Sequence, residues 1–438
     1  MDPKITPAMK QYLDLKKRYP EEILFFRMGD FYEMFFEDAH IASKILDIAL
    51  TARQNDIPMC GIPYHAAESY IARLIKAGKR VAICEQMESV PSSGPIVKRD
   101  VVRIITPGTV VEANLIPSDD NNFLASIIID REQIGLAFID ISTGDFFLSS
   151  IDKSPDLFRG EIIKFNPREA VLHEGDSPDS EVYADFIAMR DIPVYRINEW
   201  LYDAEFMTTI ICETFKTAGT KGLGITTELD IMTAGSILQY LRETHRKTFD
   251  HLKFPRKILS RDAMTLDDAT ISNLELVSNL QDRTKNRTLF SVLDRTMTAM
   301  GKRLLERNIL QPLLDLTAIE KRLDAVQYLH EFQELAVTVH DHLGEIHDIE
   351  RLLSRFIIGK IFPRSFIALM NSIRAALRIK SLLSEQPHDQ MRELSESIPD
   401  AGALAGMIKA AIEDEPALSP EQGRVIRKGF SAELDRLY

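Results

Sequence analysis

The sequence predicts a multi-domain protein in which two α/β regions precede an all-α region. Three observations predict this order: residues 1–112 mix helical and strand periods, three β runs follow one another from residue 123, and strand patterns all but vanish from Thr265 onward. A chain of 438 residues with 45% hydrophobic residues is long enough to bury several cores. We therefore expect separate domains.

The first region, residues 1–112, is predicted to be a small mixed α/β domain. The stretch ILFFRMGDFYEMF predicts two strands around a Met-Gly-Asp turn, and helices are predicted over 9–19, 40–50 and 66–77. Between the last two helices, IPMCGIPYH is expected to form a proline-rich turn. The β-branched runs KRVAICEQM and VKRDVVRIITPGT predict two further strands.

A linker with the sequence ANLIPSDDNN, residues 113–122, leads to a second region at residues 123–245. The runs FLASIIID, IGLAFIDIS and GDFFLSSI predict three strands joined by short turns. A helical pattern, PDLFRGEIIKF, and two short apolar runs, EAVLH and IPVYRI, follow them. A meander followed by alternating helix and strand predicts an α/β domain with a mixed sheet.

A second linker, residues 246–260, leads to a helical region at residues 261–438. Thr265 and Asp268 are spaced as a capping box that would open a helix. The apolar side of this predicted helix would consist of Ile271, Leu274, Val277 and Leu280.

Charge and composition limit the classes of function. The net charge of −13 is uneven, because residues 1–110 contain 15 Lys and Arg against 14 Asp and Glu. A polyanion would therefore be tolerated best by the first quarter of the chain. The three cysteines are too few and too scattered for a disulfide framework, and the apolar runs are too short to span a membrane. We expect a cytoplasmic protein without a membrane partner.

The stretch RMGDFYEMFFEDA at residues 27–39 places carboxylates among aromatic side chains. In an extended strand, Phe31 and Glu33 would project on one side, and Tyr32 and Met34 on the other. Two interpretations remain open from this pattern. Phe31 and Glu33 either lie idle at the surface, or they form an aromatic wedge beside a hydrogen-bond acceptor.

Other candidate sites are less well supported by their spacing. The segment VHDHLGEIHDIE contains three histidines, but no two of them stand at the i,i+4 spacing of a zinc helix. Asp130, Asp140 and Asp145 have the residue type of a metal-dependent nuclease site, yet each lies at or near a turn, where a local role is expected. No metal site and no catalytic residue is predicted.

Longer stretches resemble a known family. RMGDFYEMFFEDA, IPMCGIPYHAAESYIARLIKAGKRVAICEQME and VVRIITPGT resemble the opening, mismatch-binding domain of the MutS family of DNA mismatch-repair proteins. LAFIDISTGDF resembles that family's connector domain, and LFSVLDRTMTAMGKRLLERNILQPLLDLTAIEKRLDAV and DIERLLSRF resemble its lever helices. The resemblance implies a ribonuclease-H-like connector and an elongated helical lever.

The resemblance also implies a role for particular residues. The family's Phe-x-Glu motif, which reads damaged pairing, falls on Phe31 and Glu33. Position alone, apart from the resemblance, makes Met28 a candidate base contact, with core packing as the alternative. Arg73 and Lys76 face outward on the predicted helix at 66–77 and are either phosphate contacts or solvated charges. The implied partner is double-stranded DNA with mismatches or small loops.

The chain lacks the sequence Gly-x-x-x-x-Gly-Lys-[Ser/Thr] that binds nucleotide phosphates. The family carries its ATPase, with ATP and Mg²⁺, in a C-terminal domain, so we expect no enzymatic activity and no cofactor in residues 1–438. FSAELDRLY stops within an amphipathic pattern, and we expect the natural protein to continue beyond Tyr438.

The resemblance further implies that the protein binds MutL and has a cytoplasmic, nucleoid-associated location in a bacterium. The full-length family also forms a homodimer, which would be weak or absent for this chain. Two alternatives remain. One is a MutS paralogue that binds branched DNA, although such relatives generally lack Phe-x-Glu. The other is a truncated fragment with a structural or interaction role.

Overall fold

The computed structural model describes residues 6–53, 57–87, 97–111, 116–117, 119–173, 180–197, 203–245, 249–258, 263–359, 361–419 and 422–437. Within these residues the chain forms two mixed β-sheets, each with helices packed on it, and then a run of helices. The predicted combination of α/β and all-α regions is therefore confirmed at this level. The boundaries of the predicted domains stay predictions, and some residues of both predicted linkers lie outside the described ranges.

The first sheet is built from six short strands. In chain order they are β1 (Ile23–Met28), β2 (Phe31–Phe35), β3 (Thr51–Arg53), β4 (Ile57–Pro63), β5 (Val81–Gln86) and β6 (Arg99–Ile105). They pair in the order β3-β4-β2-β1-β5-β6, with β1 and β5 parallel and the other neighbours antiparallel. Its helices are α1 (Pro7–Arg18), α2 (Phe36–Leu46) and α3 (Ala67–Lys76).

Each face of the first sheet buries its own core. On one face, Phe25, Tyr32 and Met34 pack with residues of α2 and α3. On the opposite face, Phe26 and Phe35 pack with residues of α1. The alternation of side chains along β1 and β2 thus supplies both cores at once.

The prediction of a proline-rich turn at IPMCGIPYH is wrong for most of that stretch, because residues 57–63 form the strand β4. The register of β4 with its two neighbouring strands explains why the prolines are tolerated. β2 pairs with residues 59–63 of β4, and β3 pairs with residues 57–59. Pro58 and Pro63 therefore each have a partner strand on one side only, where a missing N–H is least costly.

The second sheet also has six strands. They are β7 (Phe123–Ile129), β8 (Gln133–Asp140), β9 (Asp145–Asp152), β10 (Glu169–His173), β11 (Val194–Ile197) and β12 (Arg256–Ile258), in the order β11-β10-β7-β8-β9-β12. The predicted meander β7-β8-β9 is confirmed, and β10, β11 and β12 each pair in parallel. β12 lies within the predicted second linker, which nonetheless adds a strand to this sheet.

Helices cover both faces of the second sheet. They are α4 (Pro155–Phe165), α5 (Ser180–Met189), α6 (Ala204–Phe215) and α7 (Glu228–His245). α4 and α5 bury one face, and α6 and α7 bury the other. The predicted ribonuclease-H-like fold of this region stays a prediction.

The third region consists of helices. They are α8 (Asp268–Asn273), α9 (Leu289–Leu293), α10 (Ala299–Leu310), α11 (Leu316–Glu331), α12 (Gln333–Leu343), α13 (Ile349–Ile358), α14 (Pro363–Ser384), α15 (Asp389–Ser397) and α16 (Gly402–Ala411). The long helix α14 contacts α12, α13, α15 and α16. No described helix is both long enough and apolar enough to cross a membrane.

The predicted capping box at Thr265 and Asp268 is wrong. The side chain of Asp267 caps α8 instead, by accepting a hydrogen bond from the backbone N–H of Thr270. The helix ends at Asn273, and the left-handed Glu275 (φ 45°) turns the chain away. Leu274 and Leu280, predicted to lie on the apolar side of one continuous helix, lie beyond its end and are about two-thirds exposed, at 64% and 65%.

A buried carboxylate joins the two sheet-containing regions of the molecule. Glu169, at the start of β10, is 1% exposed and accepts hydrogen bonds from the backbone N–H of Gly108 at 2.9 Å and from the hydroxyls of Thr106 and Tyr240 at 2.5 Å each. Arg80, which directly precedes β5, stacks over the Tyr240 ring. Segment 106–109 is therefore fixed to β10 and α7.

Ion pairs join the second sheet to the helical region. Lys253 bridges Asp145 and Glu350 at 2.9 and 2.6 Å, and Arg307 lies 3.2 Å from Asp145. Arg351 donates to the backbone carbonyls of Pro117 and Asp120. The helical region is thus attached both to the second sheet and to the segment that precedes it.

Candidate nucleic-acid interface

The β1-β2 hairpin presents an aromatic side chain at its tip. Phe31 is the first residue of β2 and is 48% exposed. Gly29 adopts a left-handed conformation (φ 61°), which a tight turn between two strands needs and glycine adopts without strain. The turn is held by Arg27, which donates to the Gly29 carbonyl at 2.5 Å, and by the Asp30 carbonyl, which accepts from the Tyr64 N–H at 3.0 Å.

Phe31 and Glu33 project from the same face of the sheet, as their spacing predicts. Tyr32 and Met34 point to the other face, where both are buried. Phe31 pairs with Met28 across the hairpin, and Glu33 pairs with Phe26. Met28 is half-buried and packs against the core beneath this face. The structure therefore brings together three of the five predicted site residues: Met28, Phe31 and Glu33.

A positive charge that the sequence reasoning missed lies close to Glu33. The guanidinium of Arg99 stacks over the ring of Phe26, at 5.1 Å from its centroid, and donates to the Arg27 carbonyl at 2.7 Å. Burial lowers the pKa of Arg99, and the negative charge of Glu33 acts in the opposite direction. Arg99 comes from β6, and only the order of strands in the folded sheet brings it near the hairpin. No local pattern in the sequence signals this proximity.

The opposite side of the hairpin is held by an aromatic and ionic cluster. The Tyr32 hydroxyl donates a short hydrogen bond to Glu85, and the Arg27 guanidinium stacks on the Tyr64 ring at 3.4 Å from its centroid. Burial, and then Glu85, raise the pKa of Tyr32 well above its ordinary value. Tyr32 thus stays protonated and keeps its hydrogen bond. The hairpin that carries the exposed Phe31 is thus held in place by contacts on its opposite face.

Comparison with known proteins decides the family. Models of three MutS domains match successive stretches of the chain: MutS domain I at residues 6–114, MutS domain II at residues 122–253 and MutS domain III at residues 269–437. The chain belongs to the MutS family.

Several relatives are proteins described as DNA mismatch repair protein MutS. The one from Alkaliphilus metalliredigens is 39% identical over 441 residues, an alignment that covers 99% of this chain and 50% of the relative. Those from Treponema denticola and Halothermothrix orenii are each 38% identical, again over 99% of this chain and 50% and 49% of the relatives. The chain spans about half the length of these curated relatives.

Arg73 and Lys76, the other two predicted site residues, lie on α3, within the stretch that matches MutS domain I. α3 packs on the face of the sheet opposite to Phe31 and Glu33. Arg73 donates to the terminal carbonyls of α2, to that of Leu46 at 2.6 Å and to that of Ile45 at 2.9 Å, which helix ends otherwise leave unsatisfied. The structure does not bring these two cations to the Phe31 face, and their contact with phosphates stays a prediction.

Of the three aspartates in the stretch that matches MutS domain II, Asp130 and Asp140 bond to nearby residues as predicted, whereas the local role expected for Asp145 is wrong, because its side chain pairs with distant residues. Asp140 accepts from the N–H groups of Ser142 and Asn122, and Asp130 accepts from the N–H of Arg131. Asp145 pairs with Lys253 and Arg307. Across the residues that the structure describes, no three His, Cys, Asp or Glu side chains are grouped so as to hold a metal ion.

Proposed function

We propose that this chain recognises mispaired or looped bases in double-stranded DNA and so contributes to initiating mismatch repair. The observation that carries the proposal is the exposed Phe31 ring at the tip of the hairpin, with Glu33 on the same face and buried neighbours on the other. Membership of the MutS family supports it. Phe31 would insert as a wedge, and Glu33 would accept a hydrogen bond from a displaced base.

The physics of insertion favours damaged pairing. An apolar side chain pushed into the minor groove must separate a pair of stacked bases, which costs a few kcal/mol and bends the duplex toward the major groove. Mispaired bases are already loosened, so the cost is lowest there. Recognition of a mispair would then depend mainly on how easily the duplex deforms at that point, and little on the surrounding DNA sequence.

The braced hairpin supports this role for Phe31. A wedge transmits force to DNA only if its own backbone does not yield. Gly29, Arg27 and Tyr64 fix the turn from one side, and the Tyr32–Glu85 hydrogen bond fixes the strand behind it. Met28, which pairs with Phe31, would extend the apolar contact toward an adjacent base.

Glu33 would lower the affinity for intact DNA relative to the affinity for mispaired DNA. A carboxylate is repelled by phosphates, so it weakens binding to any ordinary duplex, whereas a displaced base regains a hydrogen bond. The positive charge of Arg99 lies near Glu33, and Glu33 acts to raise the pKa of Arg99 against the effect of burial. Cations that contact phosphates neutralise charge without reading sequence. Arg73 and Lys76 are proposed for this role, although α3 carries them on the face of the sheet opposite to Phe31.

The wider activity is proposed by analogy with the family. ATP and Mg²⁺ would act in a separate domain, outside residues 1–438. MutL would be a protein partner, and the homodimer of the full-length family would be weak or absent for residues 1–438. These proposals rest on the family resemblance alone.

The proposal is tested by measuring binding of the chain to labelled duplexes at two salt concentrations. The duplexes are matched, G·T-mispaired, single-base-looped and branched. We expect preference for the G·T and looped duplexes, and loss of that preference in Phe31→Ala. Phe430→Ala is the matched control, because Phe430 is 52% exposed and lies in the helical region of the molecule.

Each other outcome contradicts the proposal in a defined way. Preference for branched DNA would favour a paralogue-like function, and no binding to any duplex would favour a structural or interaction role. If Phe31→Ala kept the preference for G·T of the unaltered chain, the wedge assignment would be wrong.

A further inference from the structure

A glycine without a conformational need lies between Phe31 and Glu33. In the register of β2 and β4, Gly61 stands opposite Glu33, and Pro63 stands opposite Phe31. A methyl group placed on Gly61 would lie 3.7 Å from Cγ of Glu33 and 4.0 Å from Cδ1 of Phe31. Both side chains therefore flank the bare backbone of Gly61 on one face of the sheet.

The position of Gly61 in the sheet leaves this space accessible. β3 pairs with residues 57–59 of β4, so residues 61–63 extend beyond it. Gly61 and Glu33 are each half-buried, and Phe31 is exposed. The backbone of Gly61 is thus partly exposed next to Glu33 and the Phe31 ring, with no side chain of its own.

Backbone geometry does not explain the glycine. Gly61 does not have a positive φ, and a methyl group there would meet its nearest atom, the Tyr32 carbonyl oxygen, at 3.4 Å. An alanine would therefore fit without strain. A glycine weakens the interior of a strand and often marks a place where another group approaches the backbone closely.

We infer that Gly61 is a specificity-determining residue, whose bare backbone forms the floor of a recess between Phe31 and Glu33 that admits the edge of a displaced base. This inference rests on the proposed function and adds a residue to it. A base held in an intact pair stays within the stack and does not enter the recess. A base released from a mispair would enter it and reach the Glu33 carboxylate.

The test is Gly61→Ala in the full 438-residue chain, with affinities measured for G·T and matched duplexes. We expect the ratio of the two affinities to fall about tenfold, the effect of one added methyl group in a fitted pocket. Affinity for the matched duplex and the thermal unfolding midpoint should be unchanged. Gly219→Ala is the matched control, because no atom lies within 4 Å of a methyl group placed there and its φ is not positive.

A double-mutant cycle shows whether the methyl group added at Gly61 changes the affinity ratio through Glu33 or by a general effect on the protein. If the methyl group acts by filling the recess beside Glu33, then Gly61→Ala should change the affinity ratio much less in a Glu33→Ala background. Additive effects of the two substitutions would overturn the inference. So would an unchanged ratio in Gly61→Ala alone.

The failure of this inference is distinguishable from the failure of the proposed function. If Phe31→Ala abolishes the preference for G·T and Gly61→Ala does not alter it, only the role of Gly61 is wrong. If the unaltered chain shows no preference for G·T, the proposed function itself is wrong, and the role inferred for Gly61 is wrong with it.

Discussion

Two neighbouring side chains with opposite physical effects define the candidate site. Phe31 exposes an apolar ring, and Glu33 places a negative charge on the same face. In the proposed function, the ring would add affinity wherever stacking is weak, whereas the charge would subtract affinity from every duplex. Discrimination between mispaired and matched DNA would come from the difference between these two effects. Removal of Phe31 should therefore lower the affinity for mispaired DNA, whereas removal of Glu33 should raise the affinity for matched DNA.

Substitution of Glu33 tests this division. We expect Glu33→Ala to bind matched duplex more tightly and to lose about 1.5 kcal/mol, roughly tenfold, of the contrast between G·T and matched DNA. The measurement is fluorescence anisotropy with both duplexes at two salt concentrations. Glu37→Ala, at an exposed position of α2, removes the same charge as a control. Equal effects of the two substitutions would show that only net charge matters.

At this scale the sequence predicts some of the site. Strict alternation along β2 is enough to place Phe31 and Glu33 on one face, because side-chain direction in a strand is a local property. The positions of Arg99 and Gly61 are not local. They depend on which strands pair with β1 and β2 and in what register, and no short pattern determines that pairing.

Among the elements, segment 106–109, β10 and α7 meet at the Glu169 carboxylate. Burial raises the pKa of Glu169, and the hydrogen bonds from Thr106 and Tyr240 and the charge of Arg80 oppose that effect. The segment has little room to move, since a methyl group on Gly108 would lie 2.9 Å from Cβ of Glu169. The junction is therefore both polar and closely packed.

Removal of this carboxylate should destabilise the fold. Glu169→Ala leaves the Gly108 N–H and the hydroxyls of Thr106 and Tyr240 without their acceptor, and we expect a loss of about 3 kcal/mol in the free energy of unfolding. Urea denaturation measures it, with Glu132→Ala at an exposed turn as the control. A loss no larger than that of the control would mean that the donors find other partners.

Element prediction succeeds where the pattern is local and fails where tertiary pairing decides. The strands of the β7-β8-β9 meander follow from β-branched runs with short turns. β4 does not, because its prolines are acceptable only at positions that lack a second neighbouring strand. α8 ends early because Glu275 turns the chain, although apolar residues continue at helical spacing.

For the whole molecule, the ion pairs around Asp145 link the second sheet to the helical region. Burial by itself would raise the pKa of Asp145, but its bond to Lys253 and the charges of Lys253 and Arg307 hold that pKa below its ordinary value. A carboxyl group with a depressed pKa in the folded state stabilises the fold above its unfolded pKa of about 3.9. That contribution is lost as the pH falls below this value and through the folded pKa.

The stability of Asp145→Asn should therefore depend on pH in a defined way. At pH 7 we expect it to be less stable than the unaltered chain by about 1 to 2 kcal/mol, since Lys253 is partly exposed and solvent screens the pair. The difference should shrink as the pH falls from about 5 toward about 3. Thermal unfolding across this range measures it, and Asp130→Asn, at an exposed turn, is the control. A difference that stays constant with pH would exclude the ion pair as its cause.

The junction at Glu169 has a mechanical consequence. In the proposed function, a load that a stiff duplex returned to the hairpin tip would meet segment 106–109, which hydrogen bonds to Glu169 hold against β10. Such a load would then pass through these hydrogen bonds to the second sheet. A duplex that resists bending and one that gives way would thus leave the neighbouring sheet in two different positions.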